Sequence, residues 1–307
     1  MAERFVLTVP ETVTARFLVA AGTRAVPGPD RLRDALGARG LGRVAAAMLA
    51  SSRLTVNPVT EITAELKEQV RRLDGAPDGL RDVFGAARHM TVTAVTAPAG
   101  LPRHAQATRL AARTLAAALR GRVADLDTGR ILPPEDGPPA EPEEFFLGGD
   151  WAPVYITLEP EDATRARAET AGLHRFGLPE VTARHVPYAS MLTAANLVRA
   201  LAWQLFAEQR AFLARAGTAG TRETPAERAV RRDDVMRFWG ATERPAKQTA
   251  AVRLAWTDTA CPACAAAIEA RPADPDRDKW WTECATAMPH LIRPTPSPAE
   301  PRPRHPR

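Results

Sequence analysis

The clearest periodic pattern in the chain runs from Ser190 to Ala214. Apolar side chains recur there at steps of three and four residues, which is typical of one face of an α-helix. That face consists of Met191, Ala194, Ala195, Val198, Leu201, Ala202, Leu205 and Phe206. We therefore expect a long helix in which Leu201 and Leu205 are buried and Arg199 lies on the opposite, exposed side.

Shorter patterns predict the other elements. Alternation predicts strands at 4–9, 88–97, 121–127 and 151–158, and helical spacing predicts helices from about residue 11 and at 30–36, 61–73, 103–120 and 226–239. This order of strands and helices indicates an α+β fold, a mixed sheet with helices packed on one face. We expect residues 88–215 to form a single sheet.

Composition divides the chain into four stretches. We expect a small mixed subdomain at 1–80, the α+β core at 88–215, and a mostly irregular, partly helical segment with the cysteines at 218–292. The last fifteen residues, 293–307, contain six prolines and four arginines. Such a tail cannot bury enough apolar surface to fold, so we expect it to be disordered.

Composition and charge make several partners improbable. The 307 residues are 45% hydrophobic and 25% charged, as in ordinary soluble proteins, and the abundance of Ala, Arg and Pro is that of a high-GC bacterial genome. The formal charge of +5 is modest and its arginines alternate with acids, so nucleic acid is not an expected partner. The sequence shows neither an apolar leader nor a spanning segment, and we expect a cytoplasmic protein without membrane contact.

Four polar side chains gather in the segment TAGLHRFGLPEVTARHV: His174, Arg175, Glu180 and His185. Their closeness makes them candidate ligands of a small molecule. The alternative is that the two charged residues are solvated at strand edges while the histidines bind nearby backbone, because the cluster has no nucleophile and no recognised spacing.

The three cysteines suggest a second site. Cys261 and Cys264 form a CxxC pair, and Cys284 and His290 follow. Two thiolates on one turn, a third thiolate and an imidazole are a ligand set that zinc accepts. Two alternatives remain open: a redox pair at the start of a helix, or structural thiols packed near Trp280 and Trp281. An odd number of cysteines also favours a reducing compartment.

Signatures of common enzymes are missing from the sequence. It has no GxxxxGK[ST] loop, no GxGxxG after a strand, and no GxSxG or HExxH motif. His104, at a helix start, is better explained as a capping or surface residue than as a catalytic base. Two hypotheses therefore remain: a binding or accessory module for a small molecule or protein, and an enzyme with a divergent pocket near His174, Glu180 and His185 or a zinc site at the cysteines.

Two blocks of the core resemble a known family. Gly121–Asp127 follows a helix as a short apolar strand ending in Asp, and GLHRFGLPE at 172–180 has glycines, Arg175, Phe176 and Glu180 in characteristic order. This pattern resembles that of uncharacterised bacterial domains of the DUF4261 type. The resemblance covers residues 88–215 and implies a fold but no activity.

Overall fold

A computed structural model describes residues 3–22, 25–60, 63–134, 137–217, 220–242, 244, 246–273 and 276–288. Its strands are β1 (Arg4–Val9), β2 (Val13–Ala21), β3 (Leu54–Pro58), β4 (Arg88–Thr96), β5 (Arg122–Asp125), β6 (Arg130–Ile131), β7 (Val154–Glu159), β8 (Asp162–Thr170), β9 (Val181–Pro187), β10 (Gly220–Pro225), β11 (Glu227–Val230), β12 (Ala250–Thr257) and β13 (Ala267–Pro272). The α-helices are α1 (Pro29–Leu36), α2 (Gly40–Ala50), α3 (Ala64–Arg71), α4 (Pro77–Phe84), α5 (Arg103–Leu119), α6 (Met191–Ala216), α7 (Arg232–Phe238) and α8 (Arg277–Ala287). The α+β prediction is confirmed. No helix in the described part of the chain has the length and apolar character of a membrane span.

The first sheet has the strand order β3-β4-β2-β5-β6, and each neighbouring pair is antiparallel. The predicted strand at 88–97 is confirmed as β4. The helix predicted from about residue 11 is wrong, because that segment forms β2, the central strand. Phe17 and Val19 face the main core while Leu18 and Ala20 face a smaller one, so both faces are apolar and no alternation marks the strand.

The second sheet has the order β11-β12-β13-β9-β8-β7. Its strands are antiparallel except for β13 and β9, which run parallel. Residues 88–215 therefore contribute to two sheets, and the expectation of a single sheet is wrong. The segment 218–292 is more regular than predicted, with β10 to β13, α7 and α8. The helix predicted at 226–239 begins only at Arg232, because Glu227–Val230 pairs with β12 as a strand.

The long helix α6 packs on the second sheet. Leu201 and Leu205 are fully buried, as the spacing predicted. Arg199 is not on an exposed side, since its guanidinium lies 5.4 Å from the Trp239 ring centroid and donates to Asn196. One apolar core extends from Phe5 near the start of the chain to Met288. The division into folding units stays a prediction, and the predicted disordered tail, 293–307, lies outside the described residues.

Candidate metal centre

A short 3₁₀ turn, Leu173–Phe176, connects β8 to β9 and carries the first candidate residues. Gly172 and Gly177 bound it with φ angles of 101° and 74°, in the left-handed region that favours glycine. A Cβ atom at Gly172 would lie 2.6 Å from the Trp151 carbonyl oxygen, so a side chain has no room there. The two glycines thus fix the path of the turn and the direction of His174.

The carboxylate of Glu180 holds this turn in place. The side chain is fully buried. It accepts hydrogen bonds from the Thr170 hydroxyl at 2.7 Å, from the Gly172 amide at 2.9 Å, and from the amides of Leu173 and His174 at 3.3 Å each. A buried carboxylate needs such donors to offset its lost hydration. Glu180 is therefore an internal anchor rather than the solvated strand-edge charge of the alternative interpretation.

The imidazole of His174 lies between two carboxylates. Its Nδ1 is 2.9 Å from Glu180 Oε1, and its Nε2 is 3.3 Å from Asp127 Oδ1. Burial lowers the pKa of His174, but its contacts with Asp127, Cys261, Cys264 and Glu180 raise the pKa well above its ordinary value. These partners favour the protonated ring.

Asp127 has neighbours on its other side too. The Arg16 amide donates to its Oδ2 at 2.8 Å, and the Arg175 guanidinium lies 3.5 Å away. Arg175 itself is fully buried and donates to Asp125 at 2.5 Å. Its charge thus balances internal carboxylates, which is a structural role rather than the ligand contact predicted. The nearby positive charges hold the pKa of Asp127 far below its usual range despite burial.

Sequence reasoning missed Asp125 and Asp127. The available signal is the pattern Asp-Leu-Asp at the end of a short buried strand. His185 also differs from its expected place. It is exposed, at a φ of 54°, and its amide donates to Glu159 rather than toward the other candidates.

The CxxC pair comes to the same place from a distant part of the chain. Cys261 and Cys264 lie in the connection between β12 and β13, and β13 pairs in parallel with β9 directly after Glu180. The Ile268 amide donates to the Glu180 carbonyl at 2.8 Å, which brings the connection over the 3₁₀ turn. The Cys261 Sγ atom then lies 3.4 Å from His174 Nδ1.

The structure joins half of each candidate set into one group. Ligand atoms of His174, Glu180, Cys261 and Cys264 all lie within 4.8 Å of one another, which is near enough to hold a metal ion. A hydrogen bond from Cys264 lowers the pKa of Cys261 to about 5, and the neighbouring His174 lowers it too, although burial has the opposite effect. The same hydrogen bond raises the pKa of Cys264. Cysteine thiolates and imidazole are the ligands that zinc prefers.

Of the other two predicted ligands, only Cys284 lies among the described residues, and it is not in this group. Cys284 is fully buried in α8, where it belongs to the apolar core with Trp280 and Trp281, and burial raises the pKa of its thiol to about 12. His290 lies outside the described residues. The helix start that the redox interpretation assumed is also missing, because the residues after Cys264 lead into the strand β13.

A cleft of about 340 Å³ opens beside the metal-ligand group. His174, Cys261 and Asp127 are in its wall. Another part of the wall holds Glu169, which accepts from the Thr259 hydroxyl at 3.2 Å, and burial raises the pKa of this carboxyl. The donor group is therefore reachable from a space large enough for a small ligand.

Comparisons with protein-family models, with curated proteins and with solved structures find no match to this chain. The resemblance to domains of the DUF4261 type therefore stays a prediction, and the function must be argued from the site alone.

Proposed function

We propose that this chain binds one zinc ion through His174 Nδ1, Cys261 Sγ and Cys264 Sγ. In a tetrahedral zinc site, the zinc–sulfur bond is about 2.3 Å and the zinc–nitrogen bond about 2.0 Å long, so the sulfur and nitrogen ligands lie about 3.5 Å apart. The distance from Cys261 Sγ to His174 Nδ1 is 3.4 Å. This agreement, in a group of donors within 4.8 Å, is the observation that carries the proposal.

The surrounding carboxylates suit such an ion. A histidine that binds zinc through one nitrogen usually donates its other N–H to a carboxylate, which fixes the ring. Asp127 Oδ1 lies 3.3 Å from Nε2 and is the carboxylate nearest to this role, although the contact is an ion pair and does not have the geometry of a hydrogen bond. Zinc at Nδ1 would replace the proton that this nitrogen shares with Glu180.

Glu180 is the fourth possible ligand, but we assign it mainly to positioning. Four neighbouring amide and hydroxyl groups already donate to its two oxygens, which leaves little lone-pair density for an ion. Among the described residues, the ion would then have three protein ligands, which leaves one position for a further ligand. Three-ligand zinc sites are the ones that bind water or substrate.

Access to the cleft favours an enzyme over an accessory module. A purely structural zinc is closed by four protein ligands, whereas this site borders a space for a small molecule. Zinc with an open position lowers the pKa of bound water to about 7 and polarises oxygen groups of a substrate. We therefore propose zinc-dependent chemistry on a small molecule. We further propose a reducing compartment such as the cytoplasm, in which the Cys261 and Cys264 thiolates stay available to the metal.

Elemental analysis of protein purified without chelators tests the zinc site. We expect about one zinc per chain, lost on treatment with a chelator or acid and regained on addition of zinc, because the ligands must be deprotonated. Cys261→Ser and Cys264→Ser should each lower the content strongly, whereas the matched variant Cys284→Ala should keep it. Folded wild-type protein that holds little zinc and takes up none would contradict the proposal.

A further inference from the structure

Three arginines from separate parts of the chain meet at the cleft beside the proposed metal. Arg16 is on β2, Arg72 directly follows α3, and Arg167 is on β8. Arginine is the side chain best suited to planar anions, since its rigid fork presents two parallel N–H groups to a carboxylate. Convergence of three such groups on one space of about 340 Å³ indicates an anionic ligand.

Two of these guanidinium groups keep donors for a ligand. Arg72 donates from Nε to Glu68 at 3.1 Å and from another nitrogen to the Ala260 carbonyl, and its side chain is 43% exposed. Arg167 lies 3.2 Å from Glu169 through one nitrogen and is 25% exposed. Because a guanidinium has five N–H groups, neither arginine is saturated by these contacts. Arg16, by contrast, is engaged with Asp127.

The charges around the cleft are nearly balanced. Three guanidinium groups and two carboxylates, Asp127 and Glu169, line it. Glu68 pairs with Arg72, and Glu180 lies against His174. A zinc ion with two thiolates adds no net charge, so a ligand of low charge is favoured over a dianion such as phosphate.

The rest of the wall is mainly apolar. Leu126, Ala171, Pro262 and Ala263 line it together with the ring of Tyr155, whose hydroxyl already donates to the Thr128 carbonyl at 2.7 Å. A volume of about 340 Å³ is at the low end for small-molecule sites. The ligand is therefore compact, with an apolar body between its anionic end and the metal.

We propose that the cleft binds a small monocarboxylate, with the carboxylate on Arg72 and Arg167 and the reactive end toward His174 and Cys261. The position of the ligand's reactive end rests on the proposed zinc site. The binding of its carboxylate by the two arginines does not depend on the metal, so the monocarboxylate site and the zinc site can fail separately.

Calorimetric titration of the full-length, zinc-loaded chain tests the inference, with benzoate as the probe. Measured at about pH 8, benzoate should bind at least about tenfold more tightly than neutral benzyl alcohol and more tightly than inorganic phosphate. Arg72→Gln and Arg167→Gln should each weaken benzoate binding by about tenfold. The matched control is Arg71→Gln, because Arg71 is 66% exposed and is absent from the cleft wall.

The outcomes distinguish the two proposals when zinc is measured in the same samples. Equal binding of benzoate and benzyl alcohol, tighter binding of phosphate, or insensitivity to both arginine variants would overturn the monocarboxylate assignment. If such a sample holds one zinc per chain, the zinc site stands and only the inference fails. Benzoate binding that depends on Arg72 and Arg167 in protein without any zinc uptake would support the anion site and overturn the metal centre.

Discussion

Replacement of Glu180 by glutamine should destabilise the protein strongly even without metal. The carboxylate is fully buried and accepts four hydrogen bonds from Thr170 and the 3₁₀ turn, besides its contact with the His174 ring. An amide keeps the shape, but it places an NH₂ group against donors on one side and removes the negative charge beside the His174 ring. Hydrogen bonds to a buried charge contribute about 1.5–3 kcal/mol each, and loss of one partner of a buried ion pair costs about 3–5 kcal/mol.

We therefore expect the free energy of unfolding of Glu180→Gln to fall by about 3–5 kcal/mol. Urea unfolding in the presence of a chelator isolates this effect from zinc binding. Glu161→Gln is the matched control, because Glu161 is exposed in the connection between β7 and β8, and it should change stability by less than about 0.5 kcal/mol. If Glu180→Gln unfolds at the same urea concentration as this control, the carboxylate is not the anchor of the turn.

Three further predictions concern the core and its charges. Leu201→Ala should lower the free energy of unfolding by about 2–5 kcal/mol, because Leu201 is fully buried. Arg199→Ala should also lower it, because the guanidinium no longer stacks on Trp239. Equal urea midpoints for wild type and Leu201→Ala would refute the helix register. Cys284→Ser buries a hydroxyl in the core, so it should lower the free energy of unfolding by about 1–3 kcal/mol without loss of zinc. Loss of zinc at unchanged stability would show that Cys284 is a metal ligand rather than a core residue. Burial raises the pKa of Glu208, but Arg228, Thr224 and Arg222 lower it more, so the pKa in the folded state is below its ordinary value. The Glu208 carboxylate therefore stabilises the fold above the unfolded-state pKa of about 4.3. This contribution is lost as pH falls through the lower folded-state pKa. Between about pH 5 and pH 3, the stability of the wild type should then fall more steeply than that of Glu208→Gln. Parallel plots of stability against pH would show that the ionisation of Glu208 is not coupled to folding.

Long local patterns in the sequence predicted much of the fold. The helices Met191–Ala216 and Arg103–Leu119 and the strand Arg88–Thr96 follow from periodicity over many residues, which local side-chain burial dictates. Val13–Ala21 could not be recognised in this way. Its strand is covered on both faces, so its apolar run has no alternation and its pairing with β4 and β5 depends on distant residues.

The site was predicted in two separate halves. His174 with Glu180 and the CxxC pair were each candidates, but 87 residues separate Cys261 from His174 and no local signal joins them. The parallel pairing of β13 with β9 makes that connection, and it belongs to tertiary structure. Cys284 was grouped with the CxxC pair through closeness in sequence, whereas α8 directs it into the core.

Cobalt(II) titration of metal-free protein tests most directly which residues form the metal centre. Cobalt replaces zinc in such sites, and its bonds to thiolates give a charge-transfer absorption that reports ligand identity. We predict one cobalt per chain with this absorption in wild type, and the same in Cys284→Ala. Cys264→Ser should bind more weakly with reduced charge-transfer intensity, and His174→Ala should lose the tetrahedral spectrum. A spectrum that disappears in Cys284→Ala but persists in Cys264→Ser and His174→Ala would contradict the account.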